Sequence, residues 1–197
     1  MTCLQVVSKV ELEQHLEQMQ HEISGYDLVL NQQGYRVDGN DGIKIKVESP
    51  NSKSVDYFYL KNGNCIFVEF SDIASGEEDL LPLSARGDDM PQRMRNQLKK
   101  LLKARERDNL TTKFKDSHRI HGKIPRYYQS YPEAFSQQGP KTFYIVHAPV
   151  NPQLPVETQN QLADFLTRLK SQVSNSLDDD ICHRVKLMLV ENFAEQE

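Results

Sequence analysis

At 197 residues and 22.7 kDa the chain can fill one hydrophobic core but not two, so a single domain over residues 1–197 is expected. Apolar residues make up 38% and charged residues 26%, with eight Phe and eight Tyr, which excludes a disordered chain. The absence of any stretch near 18 apolar residues excludes a membrane-spanning helix. The formal charge of -4 conceals an asymmetry: residues 86–126 carry thirteen Lys and Arg against five Asp and Glu, net +8, which leaves -12 for the rest. Such a segment either offers a basic face to a polyanion or forms a solvated face balancing acids elsewhere. Cys3, Cys65 and Cys182 are odd in number and lack C-x-x-C spacing, so no closed disulfide set is expected and a reducing cytoplasm fits best. The first residues show no basic region followed by an apolar stretch and a cleavage site.

In chain order, "SKVE" from Ser8 has the form of a capping box. Leu12, Leu16, Met19 and Ile23 then fall on one helical stripe that should end near Gly25. Three strands follow, Ile43 to Glu48, Ser54 to Leu60 and Cys65 to Ser71, separated by "SPNSK" and "KNGN", which predicts an antiparallel meander. A loop rich in acids and Gly leads to a second helix beginning near Pro91, with Met94, Leu98, Leu101 and Leu102 as its buried stripe. Arg93, Arg95, Lys99, Lys100, Lys103 and Arg107 lie off that stripe. From Asp116 to Lys141 no periodicity is visible, and a long loop is expected. Thr142 to Ala148 reads as a buried strand. Val156 to Ser174 reads as a third helix, with Leu162, Phe165, Leu166, Leu169 and Val173 on its apolar stripe. "HRVKLMLVENF" reads as a last strand. The order α-β-β-β-α-β-α-β predicts an α/β (α+β) domain, a central mixed sheet with a meander and helices on both faces. Its core would span residues 8–148, with a helix-strand addition over 155–193.

The hairpin "YFYLKNGNCIFVEF" raises the functional question. A two-residue Asn-Gly turn pairs Lys61 with Asn64, and the same register sets Asp56 opposite Glu69. Alternation puts Asp56, Phe58, Leu60, Cys65, Phe67, Glu69 and Ser71 on one face and Val55, Tyr57, Tyr59, Ile66, Val68 and Phe70 on the other. Both faces are apolar, so the hairpin should be central. Opposed carboxylates destabilise a sheet and burial raises at least one pKa unless a cation compensates. Either a hard metal ion such as Mg²⁺ or a Lys or Arg from the next helix would supply that charge.

An Asp at the start of the second strand, a Glu thirteen residues later on the third, and this order of elements resemble the PD-(D/E)xK restriction-endonuclease-like nucleases over residues 8–148. The resemblance implies a restriction-endonuclease-like fold acting on DNA or RNA. It implies Asp56 and Glu69 as ligands of Mg²⁺ or Mn²⁺ and as catalytic acids. It also implies a Lys two residues after the second acid, where this chain has Ser71. Lys99 or Lys100, on the following helix, are the candidates to replace that lysine, with Arg93 and Gln97 beside Lys100 to hold water or phosphate. Some members have lost the chemistry, and the alternative expectation is a non-catalytic subunit or adaptor of a DNA-processing or defence complex, with a protein partner. Glu13 resembles a helical acid some members add, although an ordinary exposed Glu explains it as well.

Arg93, Arg95, Lys103 and Arg107, with Arg126, Tyr127 and Tyr128 of "RIHGKIPRYYQSY", are the candidate nucleic-acid contacts, cations for phosphates and rings for bases. Rings anchoring a loop to the core or filling a protein interface account for the tyrosines equally. His118 and His121 form H-x-x-H without further ligands nearby in sequence and are expected to be exposed loop histidines. Cys182 and His183 should point apart. No nucleotide-cradling glycine loop or hydrolase elbow is present.

Overall fold

The computed structural model describes residues 10–73 and 92–196, and of residues 10, 92, 94–99 and 101–103 the backbone alone. Six strands form one mixed sheet in the order β2 (Leu16–Gln18), β3 (Gln33–Arg36), β4 (Tyr57–Lys61), β5 (Asn64–Phe70), β7 (Lys141–His147), β8 (Cys182–Leu189). The first four run antiparallel, and β5, β7 and β8 run parallel. Two short strands, β1 (Val10–Glu11) and β6 (Tyr128–Ser130), pair separately. Four helices complete the described residues: α1 (Ile43–Lys46), α2 (Gln92–Tyr127), α3 (Val156–Asn175) and α4 (Val190–Ala194). The architecture is α+β. No helix among the described residues is long and apolar enough to cross a membrane.

The hairpin has the expected register, Lys61 with Asn64 through Tyr57 with Val68. Asn62 and Gly63 both take positive φ, as a type I′ turn requires. Its two faces bury into separate cores. Phe58, Cys65 and Phe67 pack with Leu110, Phe114 and Ile124 of α2 and the stripe of α3, while Tyr57, Tyr59, Ile66, Val68 and Phe70 pack with Met19, Ile23, Leu30 and Phe193. The second face is therefore covered chiefly by an irregular segment and the short α4.

Four expectations are corrected. Where a first helix was expected there are β1, a 3₁₀ turn at Leu12–His15, and β2. Leu12 buries on one sheet face, Met19 and Ile23 on the other, and Leu16 stays 37% exposed at the edge, so a helical spacing arises from a chain that wraps around a sheet edge. Ser8 lies outside the described residues. The strand expected from Ile43 is α1, because Ile43 and Val47 bury four residues apart while Ile45 is 36% exposed. The first part of the expected loop, up to Tyr127, is helix: α2 continues there with Ser117, Ile120, His121 and Ile124 buried at helical spacing. Finally, the last strand ends at Leu189 and gives way to α4, whose Val190 and Phe193 are buried.

The turn leading into α1 holds Asp38 beside the hairpin's acid end and depends on Gly42. A Cβ there would lie 2.2 Å from the Asp38 carbonyl oxygen and 2.3 Å from that of Val37. Gly42→Ala is therefore expected to destabilise the fold by about 1–3 kcal/mol, read from the urea midpoint at constant slope.

Candidate active site

Asp56 directly precedes β4 and lies outside the hairpin ladder, whose last pair is Tyr57 with Val68. Its backbone is fixed on both sides: the amide donates to the Val68 carbonyl at 3.1 Å, and the carbonyl accepts from the Val37 amide at 2.9 Å. Its side chain accepts a hydrogen bond from the Phe70 amide at 2.7 Å. Glu69, on the neighbouring strand, is 3% exposed. The Asp56 carboxylate disfavours ionisation of Glu69.

The compensating cation comes from α2. Lys113 stands between the core residues Leu110 and Phe114, and its Nζ donates to Glu69 Oε1 at 2.5 Å. A helix that packs Phe114 on Phe67, with ring centroids 5.2 Å apart, brings the preceding residue over the end of the same strand. Burial pushes the Glu69 carboxyl up to about 8, with Asp56 adding to the shift and Lys113 opposing it. Burial likewise pushes Asp56 up to about 6, against Lys113 and the Phe70 amide. Burial alone would lower the Lys113 ammonium, but Glu69 and Asp56 outweigh it and raise its pKa, so Lys113 is a cation at neutral pH.

Asp56 and Lys113 line a cavity of about 560 Å³ at this end of the sheet, with Asp38, Asp72, Glu22 and Arg36 on its other walls. Glu69 is not among the lining residues. Burial acts to raise Asp38, but hydrogen bonds from Lys44 and the Gly39 amide win and hold it below the usual range. Glu13, by contrast, accepts from the Tyr35 hydroxyl at 3.1 Å and does not line the cavity.

The donor set suits a hard divalent ion. Two adjacent carboxylates are available, and the buried Glu69 Oε2 has no hydrogen-bond partner among the described residues. No group of three or more His, Cys, Asp and Glu residues able to share a metal exists among the described residues. Mg²⁺ nonetheless keeps several waters and commonly takes only one or two protein carboxylates.

The other candidate residues fall elsewhere. Lys100 is exposed and precedes Lys113 by thirteen positions, about 20 Å along a regular helix. The side chains of Arg95, Gln97, Lys99 and Lys103 lie outside the described residues. Arg93 is exposed, and Arg107 is held by Asp108 at 2.8 and 2.6 Å. Exposed Arg126 sits 5.8 Å from the Tyr127 ring centre, and the Tyr127 hydroxyl donates to Glu48 at 3.0 Å. Tyr128 must be removed from the base-stacking set: it is 2% exposed, with its hydroxyl 2.8 Å from His15 Nε2. His121 is not an exposed loop residue either. It is buried against Phe58, Phe67 and Phe135, and burial lowers its pKa to about 3, so it is a neutral core ring. Cys182 is buried and His183 exposed. The signal for Lys113 was a lysine between Leu110 and Phe114, two apolar residues one helical turn apart.

No protein-family model, curated protein or solved structure matches this chain.

Proposed function

We propose that the protein is a divalent-metal-dependent phosphodiesterase acting on nucleic acid, of the restriction-endonuclease-like kind, with Asp56, Glu69 and Lys113 as its centre. The observation that carries this reading is the 2.5 Å contact between Lys113 Nζ and Glu69. An amine reaches the acid pair from α2 and offers the charge that Ser71 lacks. Held by Asp56 and Glu69, Mg²⁺ or Mn²⁺ would stabilise charge on the scissile phosphate and favour ionisation of the attacking water. Asp56 faces the cavity where a phosphate would enter. Because the acids raise the Lys113 pKa, its ammonium serves as a hydrogen-bond donor to water or to a phosphoryl oxygen rather than as a base. The basic first half of α2, with Arg93 and Lys100 exposed, supplies attraction to phosphates that weakens with salt.

One observation favours a second reading. Lys113 Nζ is already engaged with Glu69 Oε1, and Glu69 does not line the cavity, as would suit a binding subunit or adaptor in which the trio serves only the fold. Cleavage separates the two readings. The purified chain, incubated with single- and double-stranded DNA and RNA in Mg²⁺ or Mn²⁺, should cut at least one substrate, and Asp56→Asn should cut none. An inert parent on all four substrates leaves the adaptor reading in place.

A further inference from the structure

At the opposite end of the sheet from Asp56, beneath the Asn-Gly turn, lies a second cavity of about 580 Å³, within the range of small-molecule sites. β5 separates the two ends: Asn64 borders this cavity and Glu69 belongs to the other centre, and the strand from Asn64 to Phe70 spans about 20 Å. Lys61, Lys141, Lys186 and His183 line it, each from a different strand position, and no Asp or Glu among the described residues does. In a chain with 28 acids and 24 basic residues, an acid-free wall with three lysines is a marked local excess of positive charge.

The lysines are held but not neutralised. Lys141 is 6% exposed, and its Nζ donates to the Gln137 carbonyl at 2.7 Å. Lys186 Nζ lies 5.0 Å from the Tyr144 ring centre and 3.3 Å from its hydroxyl. Lys61 Nζ reaches the Gln196 side-chain oxygen at 3.5 Å. None of the three forms an ion pair among the described residues, whereas Lys44 and Lys113 each do. Burying an ammonium against neutral acceptors alone is costly, and burial lowers the Lys141 pKa. An anion that entered would relieve that cost. The amides of Asn62, Asn64 and Gln138 also line the cavity and add neutral donors for anion oxygens.

We propose that this cavity binds a small oligophosphate, a di- or triphosphate group free or carried by a nucleoside, between the ammonium groups of Lys61, Lys141 and Lys186. Three cations spread around one volume match several linked phosphates better than one. The site is independent of the Asp56 centre and does not rest on the phosphodiesterase reading.

The test is a metal-free titration of the full chain with inorganic tripolyphosphate at constant ionic strength, followed by thermal melting. Orthophosphate, citrate and a six-residue oligothymidylate run in parallel. A saturable rise in Tm with tripolyphosphate is expected, with at least tenfold weaker binding in the Lys61→Gln, Lys186→Gln double variant and unchanged binding in Asp56→Asn. Both substituted lysines are partly exposed, so the double variant should fold. Lys141→Met should lose binding while its unliganded Tm stays level or rises, because a buried unpaired cation is removed. No saturable rise, or an equal rise in the double variant, overturns the site. Tighter binding of citrate or of the oligothymidylate than of tripolyphosphate overturns the assignment of its ligand.

Discussion

Lys113→Met is expected to lower metal-dependent cleavage by about 10²–10⁴-fold, the usual worth of a positioned proton-transfer or donor group. Nucleic-acid affinity should change little, since one of the many cations of residues 86–126 is lost. The fold should survive below neutral pH because Glu69, pushed up to about 8, is already protonated there and leaves no naked charge when its partner goes. Without Lys113 the Glu69 carboxyl rises further, so the melting temperature of this variant should go on falling as pH passes 8, where that of the parent levels off. Lys113→Arg keeps the charge and should retain part of the activity, which distinguishes a donor from a mere packing residue. Steady-state cleavage and melting measured at pH 6.5 and 8.5 check all three statements. Full cleavage by Lys113→Met would remove the lysine from the mechanism.

Glu69→Gln should have two opposed effects. In the folded parent the carboxyl pKa is raised well above its unfolded value of about 4.3. The stability associated with the shift is therefore fully present below that value and is lost as pH rises through about 8. Asp56, raised to about 6, contributes loss over the lower part of the same range. Glutamine does not titrate, so in metal-free buffer the variant should melt close to the parent at about pH 4 and roughly 2–6 °C above it at pH 9. Addition of Mn²⁺ should reverse the ranking, because the parent gains stability by binding the ion in its folded state and the variant does not. A variant that melts below the parent at pH 9 without metal would show that the Lys113 contact, rather than desolvation, dominates at Glu69.

The register of the hairpin was legible in the sequence because an Asn-Gly turn sets it locally, from Lys61 with Asn64 to Tyr57 with Val68; the alternation ends there, since Val55, expected on the face of Tyr57, buries with Phe58 and Phe67 instead. The stripe of α3 was legible for the same reason: Leu162, Phe165, Leu166, Leu169 and Val173 all bury as the spacing requires. Longer-range effects were not. Leu12 and Met19 share a helical spacing yet pack on opposite faces, since the chain's path around an edge strand leaves no local mark. β3 is four residues long with a glycine at Gly34, where a Cβ would come within 3.0 Å of Met19, so its backbone pairing has little side-chain pattern behind it. The continuation of α2 was hidden by Ser117 and His121, polar side chains at buried positions. Ser117 donates no visible sequence signal, yet its hydroxyl accepts from the Val55 amide at 2.9 Å and ties α2 to the residue before Asp56. The stripe read for the second helix ended at Leu102, so Lys113 fell beyond it, and the search for a replacement lysine stopped at Lys99 and Lys100.

Calorimetric titration of Mn²⁺ into the purified chain at pH 7, in two buffers of different ionisation enthalpy, tests the centre most directly. With its carboxyl raised to about 8, Glu69 must release a proton to become a ligand. The account predicts one saturable site, about one proton released per ion, and loss of both signals in Asp56→Asn. Absence of saturable binding, or equal binding by Asp56→Asn, would contradict a metal centre at Asp56 and Glu69.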